Sequence, residues 1–166
     1  MRKMPPILLL LIITLLLAPL SAEALFQKGE TLPEVAGETI DGTEFSVSSL
    51  KGQPILFKIG TTWCGTCGMQ SKAINEIRDF MNEKGVQFVE VFIQESASKV
   101  RKFFDKKGFE LPDHVILDNG DISKRLNIYV IPRLILVDEN HIVFRDGDTI
   151  SAKNLKKKIE KMLAEN

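Results

Sequence analysis

Reactive side chains are scarce in this chain of 166 residues, which holds two cysteines, Cys64 and Cys67, and two histidines. That scarcity excludes an ordinary zinc site, which needs about four nitrogen or sulfur ligands. His114 and His141 lie far along the chain, each expected as a solvated side chain at or near a turn. No metal or cofactor is expected. An excess of either charge is also missing. The 22 basic and 22 acidic residues cancel, and no basic stripe offers a footprint for nucleic acid. Repeats, low-complexity tracts and interdomain linkers are absent too. With an ordinary composition, 44% hydrophobic and 27% charged, the chain is expected to form one domain with one core.

Long apolar runs are confined to the start. Arg2 and Lys3 precede an apolar stretch from Ile7 to Leu17, broken only by Thr14, and Ala22-Glu23-Ala24 follows. This order is that of a secretory signal, cleaved after Ala24, with residues 25–166 as the mature domain. An uncleaved membrane tether is the alternative, and the stretch is at the short edge of what spans a bilayer. No cysteine stands near Ala24, so a lipid-modified anchor is excluded. Export would put the cysteines in a periplasmic or other extracytoplasmic compartment, where a pair tends to oxidise. A bridge across two residues constrains the unfolded chain little, because the gain grows with the loop closed. A structural staple is therefore a weak explanation.

Residues 27–37 read as an irregular lead-in, followed by two short strands about Asp41-Gly42. Pro54–Ile59 is an apolar run bounded by Pro and Gly, the pattern of a buried central strand. A helix is expected from Cys64 to Lys84, with Met69, Ala73, Ile77 and Phe80 or Met81 at helical spacing. Val86–Ile93 reads as a strand and Ser98–Lys107 as a helix with Val100, Phe103 and Phe104 inward. A strand at 115–117, a short helix at 122–126, a hairpin about Glu139-Asn140 and a terminal helix capped by Ser151 complete an α/β sandwich with a mixed sheet.

Cys64 thus falls where a buried strand runs directly into a helix. Unpaired N–H groups and the positive end of the helix dipole favour an anion there, and the thiolate is the nucleophile of disulfide exchange. Cys67 lies one turn on along the same face. A redox pair is favoured, but a Cu(I) site using both soft sulfurs and a peroxide-reducing thiol with Thr61 three residues before it stay open.

These motifs resemble the thioredoxin superfamily, and within it the exported TlpA/ResA-type thiol-disulfide oxidoreductases. The likeness runs from about Leu32 to Leu163, through LPEVAGETIDGTEFSVSSLKGQPILF, TTWCGTC and ILDNGDISKRLNIYVIPRLILVD. It implies a thioredoxin-like fold with a mixed sheet between helices and extra N-terminal strands. It also implies catalysis by Cys64 and Cys67, substrate contact through Trp63, Ile131 and Pro132, and a cis bond at Ile131-Pro132. The implied partners are protein disulfides or dithiols and a membrane thiol carrier, with cytochrome c maturation as one setting and a monomer as the working state.

Two positions depart from the relatives. Lys58, six residues before Cys64, stands where they carry a buried acid or an amide. It would either tune the thiols from behind, through charge or as a neutral amine accepting the proton of Cys67, or snorkel to the sheet edge. Gln70 replaces a glutamate and cannot exchange a proton. Gly65-Thr66 lacks the histidine of strongly oxidising relatives, which tilts the expectation toward a reductant.

Overall fold

The computed structural model describes residues 25–165. The expected signal segment lies outside the described residues. Among those described, no helix is long and apolar enough to cross a membrane.

Among the described residues, seven strands, five α-helices and one short 3-10 helix (Val47–Leu50) follow one another. Strands β1 (Ala36–Thr39) and β2 (Glu44–Ser46) flank the Asp41-Gly42 turn, where Gly42 takes a φ of 77°. β3 (Ile55–Gly60) leads into α1 (Gly65–Asn75) and α2 (Arg78–Glu83), then β4 (Gln87–Ile93). α3 (Ala97–Lys107), β5 (His114–Asp118) and α4 (Asp121–Arg125) come next. A hairpin of β6 (Arg133–Val137) and β7 (Val143–Gly147) precedes α5 (Ala152–Glu165). The sheet order is β2-β1-β5-β4-β3-β6-β7. β3, β4 and β5 are parallel, whereas β6 and β1 pair antiparallel on either side of them. The two parallel joints are crossed by helices, as parallel pairing requires.

β3 is the central element. All six of its residues are buried, which explains its lack of polar alternation. Its alternate residues serve opposite faces. Ile55, Phe57 and Ile59 join Val89, Val91, Ile116 and Ile135 in one cluster. Leu56 joins Ile74, Met81, Phe88, Leu134 and the α5 residues Leu155, Ile159 and Met162 on the other. A third cluster of Phe92, Val100, Phe104 and Val115 lies under α3. Ser151 accepts a hydrogen bond from the Asn154 N–H at 3.4 Å, as its expected capping role requires.

Three expectations need correction. The single helix expected after Cys64 is broken at Glu76-Ile77, where the Ile77 N–H reaches back only to the Ile74 carbonyl. The break leaves Ile74, Ile77 and Met81 all against the sheet and buries Arg78, which clamps Asp113 through 2.9 and 3.3 Å contacts. The lead-in is less irregular than expected, since Ala36 and Gly37 already pair with β2. His114 is not a solvated side chain: it is half-buried in β5 with its ring 4.9 Å from that of Phe45. His141 does sit in the β6–β7 turn, but its Nε2 is buried.

Candidate active site

Cys64 is the N-cap of α1, with extended backbone (φ −78°, ψ 112°), and its sulfur accepts the Cys67 N–H at 3.2 Å. Thr66 Oγ1 lies 3.2 Å from the same sulfur. Two donors therefore converge on Cys64 Sγ, at the helix end whose dipole favours negative charge. The two cysteines form a disulfide. Their environments differ sharply: Cys64 is half-exposed, whereas Cys67 is 1% exposed. An incoming group can reach Cys64 and not Cys67.

Gly60 makes this arrangement possible. A Cβ at this position would lie 3.0 Å from Cys67 Sγ and 3.3 Å from its Cβ, so the buried cysteine would have to shift by a few tenths of an ångström to admit one. The same point is 3.7 Å from Lys58 Nζ, so the lysine and the buried sulfur border one small space. Lys58 does not snorkel; it is 1% exposed, and that reading of the sequence is overturned. Its place is dictated by register. Lys58 pairs with Glu90 across the parallel β3–β4 joint, and Nζ donates to Glu90 Oε1. Burial pushes the Glu90 carboxyl above its ordinary range, and the charge and hydrogen bond of Lys58 oppose that rise without cancelling it.

Glu90 is a member of the site that sequence reasoning missed. Its signal was a lone charge in the apolar run VQFVEVFI. Glu95 was missed as well: one of its carboxylate oxygens accepts both the N–H (2.9 Å) and the hydroxyl (2.8 Å) of Thr62, anchoring the loop just ahead of Trp63 and Cys64. Thr61 is buried and its hydroxyl oxygen has no hydrogen-bond partner, whereas Thr66 is the hydroxyl beside Cys64 Sγ. Gln70 is buried too, and its Oε1 accepts the Ile150 N–H at 2.8 Å. The amide thus ties α1 to the segment before α5.

Trp63 is 77% exposed, so core packing is not its role. The Ile131-Pro132 bond is cis. Pro132 is buried and Ile131 half-buried, while Tyr129 and Val130 just ahead of them are 80% and 71% exposed. The following residue fixes this loop. Arg133 Nη1 donates to the Asn127 carbonyl at 2.9 Å, and Nε donates to Asp146 Oδ1 at 2.7 Å. Arg133 and Asp146 are both nearly inaccessible, and a buried, multiply bonded guanidinium holds its surroundings to one geometry. Among the described residues, no cluster of His, Cys, Asp or Glu is placed to hold a metal ion.

Known proteins resemble this chain in sequence and in fold. The Redoxin family model matches residues 27–162. The chain is 26% identical over 144 residues to the thiol:disulfide interchange protein DsbE of Vibrio cholerae, covering 82% of this chain and 76% of that one. It is 24% identical over 144 residues to the thiol-disulfide oxidoreductase ResA of Bacillus cereus, covering 86% and 80%. Among solved structures, the thioredoxin domain of a thiol-disulfide oxidoreductase from Bacteroides vulgatus superposes with a TM-score of 0.72 at 18% identity, covering 82% of this chain and 97% of that one. A thiol:disulfide interchange protein from Chlorobium tepidum gives 0.68 at 22%, covering 83% and 99%. The fold is thioredoxin-like, with a seven-stranded mixed sheet and added N-terminal strands.

Proposed function

The chain belongs to the redoxin family and is a thiol-disulfide oxidoreductase akin to ResA and DsbE, and from that premise we propose that it reduces protein disulfides outside the cytoplasm. Cys64 is the attacking thiol and Cys67 the resolving one. The observation that carries this division is their unequal exposure on either side of one helix turn. In the reduced protein the Cys64 thiolate attacks one sulfur of a substrate disulfide. The substrate S–S bond breaks, a Cys64–substrate bond forms, and the leaving thiolate takes up a proton. Cys67 then loses its proton and attacks Cys64 Sγ, restoring the internal disulfide and releasing the second substrate thiol. Two electrons and two protons pass to the substrate.

Trp63, Ile131 and Pro132 contact the substrate, a role supported by the exposure of Trp63 and by the cis geometry of the loop. Lys58 acts behind the pair: its ammonium group, beside the buried sulfur, favours the Cys67 thiolate needed for resolution. The Gly65-Thr66 dipeptide supports the reducing direction. Residues 1–24 serve as the export signal or tether and 25–166 as the working domain, a monomer reoxidised by substrates and re-reduced by a membrane thiol carrier. By resemblance, apocytochrome c cysteines are among the substrates.

The test is trapping with Cys67→Ser in the exported protein. Substrates should accumulate as mixed disulfides on Cys64 that a reductant releases, and Cys64→Ser should trap none. Equal trapping by the two variants, or none by Cys67→Ser, would refute the assignment. The direction is read separately, from the reduction potential against that of the compartment.

A further inference from the structure

We propose that a groove running from Cys64 between α1 and α3 binds the polypeptide segment beside the attacked cysteine, and that it selects segments carrying a bulky apolar residue followed by acidic ones. This rests on the exchange reaction proposed above and adds the class of substrate.

The groove has a volume of about 430 Å³ and opens at the exposed sulfur. One wall is α1. Gly65, Gly68, Met69 and Lys72 line it, and their spacing (i, i+3, i+4, i+7) puts them on one helix face. A Cβ at Gly65 or Gly68 would meet nothing within 4 Å, so the two glycines leave the floor next to Cys64 open. The opposite wall is α3 and the turn after it. Phe103 and Lys107, one turn apart, line it together with Phe109, and the Phe103 and Phe109 rings meet edge-on at 6.3 Å. Trp63, next to Cys64 in the chain, lines the groove as well.

Two features point to the occupant. Apolar side chains are left open beside the reactive sulfur: Trp63 is 77% and Met69 65% exposed, and both line the groove. The only charged residues lining the groove are Lys72 and Lys107, one on each wall. Both are exposed, and neither ammonium group takes part in an ion pair or hydrogen bond among the described residues. The loop before Pro132 offers Tyr129 and Val130 but no charge, so discrimination by charge falls to the α1–α3 side. An extended segment with an apolar side chain against Met69 and Phe103 would bring carboxylates between the two lysines. Complementary charge of this kind governs partner choice and encounter rate more than raw affinity.

The experiment compares two peptides of equal length, each closed by one disulfide. One has Leu-Glu-Glu and the other Leu-Lys-Lys after the attacked cysteine. The reduced full-length protein should react roughly fivefold faster with the acidic peptide at low salt, as two exposed charge pairs allow, and the ratio should shrink toward one at high salt. In the Lys72→Glu, Lys107→Glu double variant the ratio should invert, the basic peptide becoming the faster. Inversion is a gain that misfolding cannot mimic. A ratio near one in the wild type, or one that the double variant leaves unchanged, overturns the groove proposal. Failure to reduce either peptide, or a small uncharged disulfide run beside them, would instead refute the exchange reaction itself.

Discussion

Lys58→Met is the most informative perturbation of the scaffold behind the cysteines. The substitution keeps an unbranched apolar stem in β3 but removes the ammonium group that Glu90 holds, and both side chains are 1% exposed. Glu90 Oε2 already lacks a hydrogen-bond partner, so removing the Lys58 bond to Oε1 leaves the buried carboxyl group with no hydrogen-bonded side chain. Breaking one side of a buried pair costs about 3–5 kcal/mol, a large part of the stability of a domain this size. The sign of the pH dependence follows. Without Lys58, burial raises the folded-state value of Glu90 further above the ordinary 4.5. Between those values the folded chain binds a proton that the unfolded chain has lost, so stability falls as pH rises above about 4.5, by at most about 1.4 kcal/mol per unit. Below 4.5 both states are protonated and the loss is largely recovered. Urea denaturation across pH measures this directly. The double variant Lys58→Met, Glu90→Leu removes both charges and should regain the loss, since buried pairs replaced by apolar residues are neutral or stabilising by about 1–4 kcal/mol. Additive losses in the double variant, or a loss in Lys58→Met that ignores pH, would refute the pairing.

Two further outcomes follow from other contacts. Burial pushes Asp113 up, but its hydrogen bonds from Arg78 and the Phe88 N–H outweigh that and hold its carboxyl below 3.8. A depressed carboxyl stabilises the fold above the unfolded value, so this contribution disappears as pH falls below about 3.8, and Asp113→Asn should cost about 1–3 kcal/mol at pH 7 with a flatter acid limb in the denaturation profile. Glu95→Ala should free the Thr62 loop and remove a carboxylate from beside the active-site turn. The Thr62 amide should then exchange hydrogen faster, and the Cys64 thiol should titrate at lower pH by alkylation kinetics; unchanged values of both would separate Glu95 from the site.

What could be read in the sequence was set by local rules. PILFKI, bounded by Pro and Gly, has the pattern of a buried strand, and a helix period starting at Cys64 put the dithiol at a helix end. Ile131-Pro132 stood out through resemblance, because nothing local dictates cis over trans there. What escaped was set by pairing across the fold. Glu90 meets Lys58 from 32 residues away, through a strand register that sequence does not display. Glu95 meets Thr62 in the same way, at the common end of β3 and β4. The break at Ile77 escaped because Ile74, Ile77 and Met81 keep a helical spacing across it. His114 was misjudged because the strand expected at 115 begins one residue earlier, which carries the imidazole onto Phe45.

The central claim is that Cys64 is the activated, reachable thiol and Cys67 the sheltered one. Its most direct measurement is alkylation of the reduced protein across pH, with each cysteine resolved by mass spectrometry. Cys64 should react first, with a pKa below the ordinary thiol value of about 8.5, while Cys67 stays protected until the fold opens. Equal labelling of the two, or a Cys64 pKa at or above that of a free thiol, would contradict it.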